Sequence, residues 1–572
     1  MRGSVVQGLA SALIALLVPS VAAQDRWCGK AYQASTPGLM RLTALCSSPL
    51  VIPGGRLEPP SRSSTPLLDL KITPRHSIYV ASEEGGEFIV DAAISYIYGS
   101  PWSSSANSTT GQQQPDRLKV AITWQNQTLA MGTVTPNTTD NLFPVDLKTL
   151  EPRMEGYPIT LTATSRNSNS KYSVTTELFL LPEKSTGSVV KIDNLFGSLL
   201  YRNPTTNGIF VPVFPYGFYG DYSGYLNKSA SNIEKYASLG FNAVNVVSSF
   251  VEDDMSATIR TMDRLNLLFQ YDMRGSYKNL SSIAWQVPLV KDHPALLTWY
   301  TADEPDGWQD PLDTPKQAYD LIASLDRYHP TALVLNCQNY HFEEYSAGAD
   351  IIMEDAYPIG INATYSEKWK TPCNETFGDC GCDNCEGSVL DVASRLDDFH
   401  DYQAWLGGTA SRKPVWAVPQ SFSIPEDYWS RDSTSDEAFV MDMLAFNHGA
   451  KARLAWIYPT SDELGNALSR IAKVVTTSPV MDFLTGANPV LLQDGKDRGL
   501  DVAYWKNDGQ VLVSVVAPGD SITNVGIPLP PDVQVTRVVS SPWGGIGWTL
   551  DGNTLRAKGG LPSYATSLVI LQ

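Results

Sequence analysis

Ala295-Leu-Leu-Thr-Trp-Tyr-Thr-Ala-Asp-Glu-Pro-Asp-Gly-Trp308 is an apolar run that stops at two adjacent acids, a proline and a tryptophan. Leu296 to Ala302 has no polar alternation, and Pro305 and Gly307 end it, which is the pattern of a parallel strand buried on both faces. Asp303 and Glu304 then fall at the strand's carboxyl end, where a (β/α)8 barrel gathers its loops into one cleft. Paired acids among tryptophans at such a point suit carbohydrate chemistry, with one carboxyl giving a proton and ring faces carrying sugars. The same residues also read as a helix N-terminus, with Asp303 or Asp306 as the cap and Pro305 in the first turn.

The stretch belongs to a series. Strand candidates are Gly208 to Val213, Ala243 to Val247, Leu267 to Tyr271, Leu296 to Ala302, Ala332 to Leu335, Asp350 to Met353, Pro414 to Val418 and Ala452 to Ile457. Helical stretches such as Ser231 to Leu239, Asp254 to Leu265, Pro315 to Tyr328, Val389 to Leu406 and Asp436 to His448 alternate with them. Eight such units predict a central TIM barrel over 196–486. Short β-branched runs separated by polar turns predict an N-terminal β-sandwich over 66–195 and a C-terminal one over 487–572. The fold class is therefore multidomain, α/β plus all-β.

Residues 1–23 have the charged start, short apolar core and small-residue exit of a secretory signal, which predicts a secreted, extracellular protein. No later run is long enough for a membrane span. A formal charge of -18 without clustered Lys and Arg argues against nucleic acid or an anionic membrane as partner. Sequons at Asn107, Asn126, Asn137, Asn227, Asn279, Asn362 and Asn374 fit a glycosylated surface. Residues 24–65, rich in Pro, Ser and Gly, read as an arm stapled by a Cys28 to Cys46 disulfide. Cys373, Cys380, Cys382 and Cys385 are expected to form two disulfides of unreadable connectivity, and Cys337 is left over as a buried strand thiol. They clamp an insert, 360–387, expected on the active face.

The residues at the strand exits make one acidic and aromatic cleft: Tyr216, Tyr219, Asp272, Arg274, Trp308, Asn336, Gln338, Tyr357, Gln420 and Trp456 as substrate-binding candidates, with Asp303, Glu304 and Asp355 as catalytic candidates. Glu304 is the expected proton donor, its pKa raised by its acidic neighbour. Asp355 lies two strands away, and alternation sends Glu354 to the opposite face. The histidines His76, His293, His329, His341, His400 and His448 have no ligand spacing, and no nucleophile elbow, phosphate loop or dinucleotide fingerprint occurs, so no metal or cofactor is expected.

His293 to Pro305, Asp350 to Pro358, Val415 to Phe422 and His448 to Trp456 together resemble barrel proteins of the glycoside hydrolase superfamily that carry an Asp-Glu-Pro motif. The resemblance implies a glycosidase; a non-catalytic glycan-binding or cell-wall protein on a glycosidase-like barrel is the alternative. Retaining members place an Asn-Glu acid after strand four and a Glu nucleophile after strand seven; this chain has Asp303-Glu304 and Gln420. Three schemes follow. Glu304 and Asp355 invert through a water, Glu304 and Glu426 retain, or Asp303 orients a substrate acetamido group while Glu304 is the acid. The expected substrate is a neutral or amino-sugar oligo- or polysaccharide, and the protein is expected to be a monomer.

Overall fold

A computed structural model describes residues 26–31, 55–102, 116–408, 412–493 and 499–572. The signal segment, Cys46 and Asn107 lie outside the described residues. The centre of the fold is a closed barrel of eight parallel strands: β1 Tyr216–Asp221, β2 Ala243–Val247, β3 Leu268–Asp272, β4 Leu296–Asp303, β5 Thr331–Leu335, β6 Ile351–Glu354, β7 Val415–Ala417 and β8 Arg453–Tyr458. Helices α1 Ala230–Ser238, α2 Ser256–Leu265, α3 Leu280–Val290, α4 Thr314–Leu325, α5 Phe342–Ser346, α6 Leu390–Leu406, α7 Ser435–Asn447 and α8 Asp462–Val475 surround it.

The strands alternate between two apolar environments, which is why they read as continuous apolar runs. Tyr219, Leu297, Tyr300, Val334, Met353, Trp416 and Leu454 fill the barrel interior. Phe218, Val246, Trp299, Leu335, Ile352 and Ala455 meet the helices outside.

The first barrel strand differs from expectation. Val211–Val213, inside the stretch assigned to strand one, pairs instead with Leu199–Arg202 and through it with Val189–Ile192. Val190, Ile192, Leu199 and Val213 of this small sheet join the interior core, next to Leu268, Ala332 and Ile351, and close the amino-terminal end of the barrel. A short apolar run looks alike in a plug and in a barrel, so pattern alone cannot separate them. The true β1, Tyr-Gly-Phe-Tyr-Gly-Asp, hides its strand character behind two glycines. Gly217 is required by packing: a Cβ there would lie 1.8 Å from the carbonyl oxygen of Ala243 on β2.

The flanking sheets follow the two-residue period. In the N-terminal unit, Leu67–Pro74, Gly85–Ser95, Ser100–Pro101 and Thr138–Asp146 form one sheet, and Leu118–Trp124, Gln127–Val134, Tyr157–Ser165 and Lys171–Leu178 the other, around a shared core that includes Phe88, Ile122 and Leu161. After the barrel, Asp501–Asn507, Gln510–Val516 and Thr566–Leu571 are central strands of a five-stranded sheet, faced by a three-stranded one. Val502 and Tyr504 point into that sandwich, while Ala503 and Trp505 pack on the barrel's helical layer. His448, at the end of α7, reinforces this seam through Asp501 Oδ2 at 2.9 Å and Asp397 Oδ1 at 2.6 Å.

The expected Cys28 to Cys46 staple is corrected: Cys28 is bonded to Cys337, just beyond β5. Cys337 is accordingly not a free thiol. Its partner lies 309 residues away, and no local spacing reveals such a pairing. The insert disulfides are Cys373 to Cys380 and Cys382 to Cys385.

Candidate active site

At the end of β4 the pairing with β5 slips between Tyr300 and Asp303, so the strand leaves the ladder just where the acids begin. Glu304 follows in the left-handed region, with φ 51°. Its N–H still donates to Val334 O at 3.2 Å, and its carbonyl accepts from Trp308 at 3.0 Å. A bulge and a left-handed residue together re-aim a side chain that regular alternation would have sent elsewhere. The following helix, α4, begins ten residues later at Thr314, so neither Asp303 nor Asp306 caps it.

Strand alternation at β6 turns Asp355 to the barrel mouth and Glu354 outward. The Glu304 carboxyl is in hydrogen-bond contact with Asp355, with Glu304 on the donor side. Burial raises the Glu304 pKa well above the ordinary range, and the charges of Asp355, Asp303 and Asp306 raise it further. Burial also raises Asp355, to about 8, while the bonds from Glu304 and Asn336 favour its ionised form. Like charges this close resist ionising together, so Asp355 gives up its proton first and Glu304 keeps its own to higher pH. Asn336 Nδ2 donates to Asp355 Oδ1 at 3.1 Å.

Asp303 has a different role. Its Oδ2 accepts from Arg274 Nη1 at 2.6 Å and its Oδ1 from the Tyr300 hydroxyl at 2.5 Å. Arg274 Nε also donates to Asp272 Oδ2 at 2.8 Å, and Asn245 Nδ2 reaches the same oxygen at 2.8 Å. The guanidinium lies 5.3, 5.4 and 5.0 Å from the ring centres of Tyr219, Tyr300 and Trp456. One arginine thus pairs with two interior carboxylates inside an aromatic box, at the same barrel mouth as Glu304 and Asp355. With both oxygens engaged, Asp303 is poorly placed to hold an acetamido group.

Other expected ligands are placed elsewhere. Tyr216 is wholly buried at the start of β1 and donates to Asp442, which also holds Arg453. Gln420 is buried and its amide is consumed by backbone: it accepts from Ile359 N at 2.8 Å and donates to the carbonyls of Ile359 and Phe422 at 3.1 Å each. Gln338 anchors the insert through Asn384 and donates to Asp398 at 2.8 Å. Glu426 is exposed on the loop after β7, so it does not fold inward. Burial, and after it the charges of Asp355 and Glu304, push the Tyr357 hydroxyl well above its ordinary value.

Several contributors had no signal in the sequence. Asp306 is buried, and its carboxylate accepts from the backbone N–H groups of Gly307, Asn336 and Cys337, tying the exits of β4 and β5 together. Burial moves its pKa up to about 7. Arg395 on α6 donates to the carbonyls of Asn336 and Asp383, fixing the β5 exit to the insert. Trp27, from the arm, packs edge-on to Trp308 with centroids 5.1 Å apart. Tyr357, Phe422, Trp429 and Tyr428 form a contiguous ring cluster, and Trp369 of the insert donates to the Tyr428 hydroxyl.

A cavity of about 330 Å³ adjoins this mouth, bounded by Trp27, Lys30, Gln338 and the insert disulfides. A second, of about 390 Å³, lies toward the amino-terminal end of β7 near Pro414, His448 and Lys451, away from the acid pair. Sγ atoms of Cys28 and Cys337 lie with the Asp383 carboxylate close enough to share a metal ion, but the sulfurs are joined to each other and Asp383 is held by Lys30 at 2.5 Å. Their donor chemistry does not fit a metal.

No family model matches the chain, and no curated protein does. Solved structures similar to it include an FMN-binding beta-glucuronidase from Facaelibacterium prausnitzii L2-6, at 11% identity over 88% of this chain and 74% of that one, with TM-score 0.34. A glycosyl hydrolase family 2 member from Bacteroides cellulosilyticus DSM 14838 aligns at 11% identity over 88% and 75%, with TM-score 0.32. The beta-glucuronidase of Parabacteroides merdae aligns at 11% identity over 88% and 74%, with TM-score 0.31. At these scores the alignments carry no argument about activity, which rests on the geometry of the chain itself.

Proposed function

We propose that the protein is a secreted glycosidase that cleaves a neutral or amino-sugar glycan with Glu304 as proton donor and Asp355 as its carboxylate partner. The observation that carries this reading is the pair of buried acids in contact at the carboxyl end of a closed barrel, with Glu304 the later of the two to ionise. Glu304 gives its proton to the glycosidic oxygen as the bond from that oxygen to the anomeric carbon breaks, and the leaving sugar takes the bonding pair. Asp355 is then free to bond the anomeric carbon. A water, deprotonated by Glu304, displaces the carboxylate and restores both acids.

Carboxyl spacing favours this retaining scheme over inversion. An inverting pair needs about 6.5–9.5 Å to admit a water, whereas a retaining pair is about 5–5.5 Å apart. Two carboxyls in hydrogen-bond contact leave no room for that water, and a modest opening on substrate entry suits retention. The exposure of all six sequon asparagines among the described residues is compatible with a glycosylated, exported protein. Among the described residues no helix is long and apolar enough to cross a membrane.

The test is a panel of neutral and amino-sugar polysaccharides with anomer-resolved NMR of the first product. Release of sugar with retained configuration, abolished in Glu304→Gln and Asp355→Asn, is expected. Binding to the panel without any release would favour the glycan-binding alternative, for which the amide Gln420 at the usual nucleophile position speaks.

A further inference from the structure

We propose that Trp27, delivered to the barrel mouth by the Cys28 to Cys337 disulfide, is a positioning residue for Asp355, acting through the Asn336 amide. The inference rests on the role given to Asp355 above but goes beyond it, because it assigns work at the site to a segment outside the barrel.

The geometry is a relay of two hydrogen bonds. Trp27 Nε1 donates to Asn336 Oδ1 at 2.9 Å, and Asn336 Nδ2 donates to Asp355 Oδ1 at 3.1 Å. The Asn336 backbone is already fixed on both sides, its N–H to Asp306 and its carbonyl to Arg395. What remains free is which end of the amide faces Asp355. An indole N–H can only donate, so it claims the amide oxygen and leaves the NH2 for the carboxylate.

The arm is built to bring the indole there. Arg26–Trp27 and Lys30–Ala31 pair as a minimal hairpin whose turn, Cys28 and Gly29, has φ 52° and 72°. A hairpin of this size has no stability alone. Cys28 ties it to Cys337, adjacent to Asn336, and Lys30 ties it to Asp383 of the insert at 2.5 Å. Gly307 admits the ring: a Cβ there would lie 2.3 Å from Trp27 Cζ2. The groups facing the acid pair are otherwise Asp303 and Asp306 from the β4 exit and Tyr357 from the β6 exit. Asn336 is the neutral donor that favours the Asp355 carboxylate among them.

Two variants of the full-length protein test the relay. Trp27→Phe keeps a ring but removes the N–H, and Gly307→Ala displaces the ring without altering any polar group. Carboxyl titration is followed by infrared difference spectroscopy, with Glu304→Gln and Asp355→Asn assigning the bands, and activity-pH profiles are recorded on any substrate found. Both variants should raise the pH at which Asp355 ionises by about one unit, and move the acid limb of the profile by the same amount. A merely structural arm would lower thermal stability and leave the titration where it is in wild type, which would overturn the proposal. The titration needs no substrate: a shifted band in a protein that cleaves nothing would sink the glycosidase reading and keep the relay, whereas an unshifted band in an active enzyme would do the reverse.

Discussion

Replacing Glu304 by Gln should make the protein more stable at neutral pH and less active, because the acid's proton is held at a cost. In the unfolded chain a glutamic acid ionises near its ordinary value of 4.5, whereas in the fold burial and three neighbouring acids keep it protonated well above that. A raised folded pKa gives stability that is fully present below the unfolded value and is lost as pH climbs toward the folded one. Each unit by which a carboxyl stays protonated above its ordinary value costs about 1.36 kcal/mol at neutral pH. Because Glu304 is partly reachable by solvent, the loss is about 1–2 kcal/mol. Glutamine keeps the shape, donates to Asp355 and has no proton to lose. Calorimetry of both proteins at about pH 4 and about pH 7 should show a variant gain only at the higher pH, about 2–4 °C per kcal/mol for a barrel of this size. An equal gain at both values, or a loss at neutral pH, would refute the raised acid at Glu304.

Arg274→Met should cost about 2–4 kcal/mol and raise the Asp303 pKa, since it leaves two interior carboxylates without their cation; the losses in an unfolding titration and in the acid limb of any pH profile check it. Gln420→Glu, which puts a carboxyl at the usual nucleophile position, should destabilise by about 3–5 kcal/mol without raising turnover, because two donated hydrogen bonds to carbonyls are lost in a buried site. His448, pushed up to about 9 between Asp397 and Asp501, contributes stability that is full below about pH 6.5 and disappears as pH rises through 9. The deficit of His448→Gln relative to wild type should therefore be largest at mildly acidic pH and shrink toward alkaline pH, as read by urea unfolding.

Much of this architecture is legible in the chain because each layer imposes a period. Tyr157–Ser165 alternates strictly and lies in a sandwich; Leu296–Asp303 does not alternate because both its faces are buried in the barrel wall. The plug strand Val211–Val213 was assigned to the barrel because three apolar residues carry no record of their partners. At the site, the adjacency of Asp303 and Glu304 is visible, but their division of labour is not. It arises from a slipped ladder and a left-handed residue, which send one acid to Arg274 and the other to Asp355. Strand parity does distinguish Asp355 from Glu354, whose buried carboxyl accepts from Ala356 N at 3.0 Å. The role of Trp27 and the pairing of Cys337 escape the sequence for the same reason: contacts across 309 residues have no local signature.

The division of labour between the acids also orders the chemistry. An inverting arrangement required the two carboxyls to stand apart, and the Glu426 scheme required its loop to turn inward; neither arrangement occurs. What remains is a pair of acids in contact at two strand ends, with aromatic clusters built from the arm and from the insert. A glycan of several units would contact these rings, so shortening the substrate should lower turnover more than binding if they align the bond over Glu304.

The most direct measurement compares wild type with Glu304→Gln on aryl glycosides whose leaving groups span a wide range of acidity. If Glu304 hands its proton to the departing oxygen, the variant should keep turnover on the most acidic phenols, which need no proton, and lose it by about a hundredfold or more on the least acidic. A uniform loss across the series, or none at all, would contradict the assignment of Glu304 as the acid.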